Sequence, residues 1–169
     1  MGGMICEPRD DGVVSDVEAI LAEEMRLSER ILRDGHEMVP RFRVITPEDA
    51  FIILIQLPDE PIERERRMRL VAAFMAFKLT RAFVLSSELR AFDALCSFWV
   101  SKDKKIGLLH RITSRSPASF GKDEWLDGAD AGDDVLSLLP GRETKLSEAM
   151  IRELERVFGE GGEFEAIRA

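Results

Sequence analysis

The chain has 169 residues, 45% of them hydrophobic and 33% charged, with a formal net charge of −8. That length suits one domain with its own core, held without metal or disulfide. No apolar run approaches the roughly 20 residues that span a bilayer, and Met1 to Asp16 lacks the apolar segment of a signal peptide, so a cytoplasmic protein with no membrane partner is expected.

The two cysteines, Cys6 and Cys96, are far apart in sequence, which favours free thiols in a reducing compartment. Arginine outnumbers lysine and tyrosine is absent, a codon signature of a GC-rich bacterial or phage genome. The charge falls in blocks. Residues 1–60 hold 14 acids and 6 bases (−8), residues 61–122 hold 5 acids and 13 bases (+8), and residues 123–169 hold 13 acids and 5 bases (−8). A basic middle between acidic ends implies either a positive docking surface or ends that fold back to neutralise it.

Residues 1–14 read as a flexible tail. Ser15 and Glu18 then form a capping box, and Val17, Ile20, Leu21, Leu27, Ile31 and Leu32 share a helical face up to a left-handed cap at Gly35. After Pro40 the period becomes two. Phe42 and Val44 alternate with Arg41 and Arg43, predicting a strand with one wet face. A turn over 46–50 leads to the unbroken apolar run Phe51–Leu57, expected as a central strand covered on both sides. Pro58-Asp59-Glu60-Pro61 stops that run, and Asp59 is placed as the N-cap of a helix reaching about Leu79. With the strand at 81–86 this makes a strand–helix–strand unit whose two strands run parallel in one sheet.

The helix changes character along its length. Glu63 to Arg69 is nearly all charge, with Glu63–Arg67 and Glu65–Arg69 spaced as ion pairs. Leu70 to Phe77 is apolar on every side, so its outer face needs cover from the first helix or another subunit. Ala94–Val100 and Ile106–Ile112 flank the charged tip Ser101-Lys102-Asp103-Lys104-Lys105 as a hairpin. Residues 114–134 read as a long acidic surface loop. A last helix starts at Thr144 and stops at Gly159, and an edge strand follows near Glu163–Ile167.

Catalytic and cofactor signatures are scarce. A serine triad requires His110 beside Ser86 or Ser87 with Asp93 behind it, yet no Gly-x-Ser-x-Gly elbow surrounds either serine. Zinc-ligand spacings and glycine-rich phosphate loops are missing. The stretch from Asp127 puts Gly132 at the sixth position of a calcium loop but Ala129 at the third, so it lacks the ligands. No cofactor or metal is expected. Pro58-Asp59 at a strand end, with Asp103 two residues before Lys105, resembles the restriction-endonuclease-like family. There such residues hold Mg²⁺ and activate water. The resemblance implies catalytic roles for Asp59, Asp103 and Lys105.

The fold class expected is α+β: a single domain over residues 15–169, with a mixed sheet of about five or six strands and three helices packed on it. The function expected is that of a small, non-catalytic cytoplasmic protein of bacteria or phage, an accessory or regulatory module that binds another macromolecule, with an acidic surface as one candidate means. A protein partner is favoured over nucleic acid, because a chain committed to nucleic acid is usually basic overall. Candidate contacts are the basic Arg64, Arg66, Arg67, Arg69, Lys102, Lys104 and Lys105 and the acidic Asp127, Asp130, Asp133 and Asp134. The alternatives are a Mg²⁺-dependent nuclease and a structural homodimer burying Leu70–Phe77.

Overall fold

The computed structural model describes residues 12–127 and 146–169. Within them the chain runs α1 (Gly12–Arg33), β1 (Arg41–Ile45), β2 (Ala50–Leu54), α2 (Pro61–Phe77), β3 (Ala82–Leu89), a 3-10 turn (Arg90–Phe92), β4 (Ala94–Ser101), β5 (Lys105–Arg115), β6 (Ala118–Phe120), β7 (Glu124–Asp127), α3 (Glu148–Phe158) and β8 (Ile167–Arg168). Three α-helices on an eight-stranded sheet make the class α+β, with more strands than the sequence suggested.

The sheet order is β6-β5-β4-β3-β1-β2-β8, with β7 alongside β5 next to β6. Every neighbouring pair is antiparallel, so the sheet is not mixed. β2 and β3 do run in the same direction, as expected, but β1 lies between them and pairs with both. The centre is therefore β1 and β3, not β2. On β2 only alternate residues turn inward. Phe51 and Ile53 are buried in the core on one face, while Leu54, on the other, is 52% exposed.

The two sheet faces carry separate cores. On one, Phe42, Val44, Ile53, Phe83 and Leu85 meet Met68, Val71, Phe74 and Met75 of α2 and Leu154, Val157 and Phe158 of α3. Phe74 packs edge-on against Phe51, with ring centroids 5.6 Å apart, and against Phe158 at 4.7 Å. The apolar half of α2 thus finds its cover within the chain, from the sheet and α3. On the other face Val17, Leu21 and Met25 of α1 pack on Val84, Leu95, Leu108 and Ile112. Arg41 and Arg43 also point to this face, so the supposedly wet side of β1 lies beneath a helix. Leu27, assigned by spacing to the apolar stripe, is 37% exposed, and Met25 and Ser28 are buried in its stead.

Helix ends differ from expectation in detail. α1 begins at Gly12, which places Ser15 inside the helix and not at its cap. Glu60, not Asp59, caps α2: its carboxylate accepts from the N–H groups of Ile62 and Glu63, and Pro61 follows at N1. Ser147 caps α3, its hydroxyl accepting from Met150, and Gly159 ends that helix; Thr144 lies outside the described residues. The segment expected as an acidic loop is ordered into the end of β5, β6 and β7 as far as Asp127. Asp130, Asp133 and Asp134 lie outside the described residues. Across β4 and β5, Phe98 pairs with Gly107 and lies on it so closely that a Cβ there would meet the ring at 2.5 Å.

Candidate functional site

The arginines of α2 are engaged by the chain itself. Arg66 donates to Glu63 at 2.9 Å and to Glu163 at 2.8 Å. Arg67 donates to Glu63 at 2.7 Å and to the Gln56 carbonyl at 2.8 Å, and Arg69 to Glu65 at 2.8 Å. Arg64 reaches the Leu57 carbonyl. Hydrogen bonds from Arg66 and then Arg67 hold the Glu63 carboxyl down at about 2. Both predicted ion pairs are present, and with Glu163 joining them the half-helix is a neutralised network.

The hairpin lysines sit elsewhere. Ala82 of β3 pairs with Ser101 of β4, so Arg81, just before β3, and Lys102, in the turn after β4, lie at the same end of the sheet. Lys105 opens β5 across from Val100. Among the described residues no carboxylate lies within ion-pair distance of Arg81, Lys102, Lys104 or Lys105. Lys78, at the C-cap of α2, places its ammonium 5.0–5.9 Å from the rings of Phe51, Phe74 and Phe77. Among the described residues four acids share this end of the sheet: Glu48 and Asp49 in the β1–β2 turn, where Asp49 pairs with Arg168, Asp103 on the hairpin tip, and Asp127 opposite Ile106 at the end of β7. The seven basic residues grouped by sequence therefore divide into a paired set at the start of α2 and, at the far end of the sheet, a set without an ion-pair partner among the described residues.

That division also separates the nuclease residues. Leu54, Arg41, Ser86 and Ser97 form one row across the sheet, and Ala50, Ile45, Ala82 and Ser101 another four residues away. Four residues of strand span about 13 Å. Asp59 follows the first row and Asp103 lies past the second, so the two carboxylates sit beyond opposite ends of the sheet. Among the described residues no group of three or more His, Cys, Asp or Glu side chains is placed to hold a metal ion. The serine triad is not assembled either. Ser86 shares a hydrogen bond with Ser97 at 2.8 Å, Asp93 pairs with Arg115, and His110 is held by other groups.

A buried polar seam joins α1 to the sheet. Arg41, 4% exposed, donates to Glu24 through Nε (2.9 Å) and Nη2 (2.8 Å) and to the Ser28 hydroxyl at 3.2 Å. Arg43 reaches the second Glu24 oxygen and Glu23, each at 3.2 Å. Further along, His110 Nδ1 lies 2.5 Å from Glu29 of α1, and Nε2 lies 2.6 Å from Asp123 in the β6–β7 connection. Every acid of this seam has a partner, and its geometry is that of a fastening. A shallow crevice beside it, lined by Leu32, His36, Ile112 and Arg115, has its arginine occupied by Glu88 and Asp93.

One residue at the lysine end escaped sequence reasoning. Leu79, following the cap of α2, is 73% exposed and has a positive φ of 56°. Its signal was available: a leucine where a helix C-terminus ordinarily places glycine. Among the described residues no helix is long and apolar enough to cross a membrane. No protein-family model matches the chain, and no curated protein or solved structure shows a significant likeness to it.

Proposed function

We propose that the chain is a non-catalytic accessory protein that docks on a partner protein through the lysine-bearing end of its sheet. The observation that carries this reading is the uneven fate of the basic residues. The arginines of α2 are engaged by partners within the chain, whereas Arg81, Lys102, Lys104 and Lys105 lie at one end with no carboxylate within ion-pair distance among the described residues. Exposed, unpaired charge contributes little to folding and much to the encounter with an oppositely charged surface. The partner face is accordingly acidic.

Protein is favoured over nucleic acid on two grounds. The whole chain carries −8, which opposes approach to a phosphate backbone. Single-strand binders also set exposed aromatics among their bases, whereas Phe98 is buried, Trp99 packs with the core beneath α1, and the exposed Phe92 and Trp125 are next in sequence to acids, Asp93 and Glu124.

The test is capture on immobilised wild-type chain from lysate of the native cells, with and without nuclease treatment, repeated with the Lys102→Glu/Lys104→Glu/Lys105→Glu variant. A retained protein identified by mass spectrometry is purified and titrated against both. Its affinity should fall with rising salt and by at least tenfold in the charge-reversed variant. Equal binding by that variant, or retention of nucleic acid alone, overturns the proposal.

A further inference from the structure

α1 and α2 close with the same hydrogen-bond pattern. At the end of α1, Gly35 N–H reaches the Leu32 carbonyl and His36 N–H the Ile31 carbonyl, both at 3.0 Å. At the end of α2, Leu79 N–H reaches the Ala76 carbonyl at 3.1 Å and Thr80 N–H the Met75 carbonyl at 3.0 Å. This closure needs left-handed backbone at its pivot, with φ of 81° at Gly35 and 56° at Leu79. Glycine adopts it freely, but a leucine Cβ crowds the neighbouring carbonyl.

Nothing in the fold repays that crowding. Leu79 is 73% exposed, so its side chain contributes little to the core. The next residue adds a second local cost, since Thr80 Oγ1 is buried without a hydrogen-bond partner among the described residues. Strain that the fold does not need is a mark of a site where something else selects the side chain. The surroundings say what. Lys78 precedes Leu79, Arg81 follows two residues later, and Ala82 pairs with Ser101, which brings the turn that carries Lys102 to the same end of the sheet. The result is a projecting apolar side chain flanked by cations.

We infer that Leu79 is the apolar anchor of the docking end, and that the partner offers it an apolar pocket rimmed by carboxylates. The inference rests on the lysine end being the docking surface. An aliphatic anchor seated in a desolvated pocket, with charge pairs around it, is the usual anatomy of an interface hot spot.

The experiment compares wild type, Leu79→Gly and Leu79→Ala with the charge-reversed lysine variant, each titrated with the purified protein that wild type retains and each melted thermally. Glycine relieves the left-handed strain, so the Leu79→Gly melting temperature should equal that of wild type or rise by about 2–4 °C. Its affinity should nonetheless fall tenfold or more. Leu79→Ala keeps the strained backbone but loses the anchor, so it should bind as weakly as glycine while melting below it. If Leu79→Gly and Leu79→Ala bind within about twofold of wild type while the lysine variant does not, the anchor is wrong and the charged docking end stands. If the lysine variant binds as wild type does, both readings fall. A Leu79→Gly protein that melts lower than wild type overturns the strain argument.

Discussion

His110 has a carboxylate on each ring nitrogen, Glu29 on Nδ1 and Asp123 on Nε2. Both nitrogens donate only when the ring is protonated. Burial works to lower its pKa, but the hydrogen bonds and charges of Glu29 and Asp123 outweigh it, and the net shift is upward from 6.5. A raised folded-state pKa means that this fastening contributes fully below about pH 6.5 and is lost as pH rises through the folded value. The midpoint of urea unfolding should therefore fall as pH climbs from 6 upward, and the His110→Gln variant should lose that dependence. Equal pH profiles for the two proteins would show that the imidazolium holds nothing. Cys96 illustrates the reverse case: burial pushes its thiol up to about 12, which leaves it protonated and inert at neutral pH. From sequence, His110 was a histidine on a probable strand; its partners come from residues 29 and 123 and are invisible to local pattern.

At the scale of elements, most of the chain was legible. The helices at 12–33 and 61–77, the β1–β2 hairpin and the β4–β5 hairpin with its charged tip all follow from periodicity and turn chemistry. The N-terminus of α2 was misplaced by one residue because Asp is the commoner N-cap, yet Glu60 has the reach to accept from two orphan N–H groups at 2.7 and 3.1 Å. Glu60→Ala should cost about 1 kcal/mol, while Asp59→Ala, at an exposed position, should stay within about 0.5 kcal/mol. Chemical denaturation separates the two, and the reverse ranking would restore Asp59 as the cap. The strands β6 and β7 were missed for a different reason. Each is only three or four residues long, too short for a period to show, and each exists by pairing with β5, the long strand beside it.

For the whole molecule, the decisive interaction is the seam between α1 and the sheet. Arg41 lies on β1 with Glu24 and Ser28 of α1 closing over it, and Ser86 and Ser97 beneath offer only short hydroxyls. Arg41→Met leaves the Glu24 carboxylate buried without its bidentate donor and should cost about 3–5 kcal/mol. Unfolding of the Arg41→Met, Glu24→Gln and double variants tests this. A double variant less destabilised than the sum of the singles marks the pair as coupled, whereas simple additivity would mean that the two residues do not stabilise one another. The same docking of α1 sets which face of the sheet is covered. It reaches across β3, β4 and β5, so Leu54 and Ile167 at the β2–β8 edge remain over half exposed.

By itself the sequence determined the class of fold, the positions of the principal helices and hairpins, and the ion pairs along α2, because each depends on residues within a few positions of one another. Tertiary structure alone decided that β1 stands between β2 and β3, that Arg41 is buried, that Asp59 and Asp103 lie beyond opposite ends of the sheet, and that the basic residues divide into a paired helix and a sheet end without ion pairs among the described residues. Those outcomes depend on strand order and on which face α1 covers. An alternating Arg-Phe-Arg-Val reads identically whether its polar side meets water or the carboxylate of a helix 17 residues away; only the packed chain supplies the carboxylate.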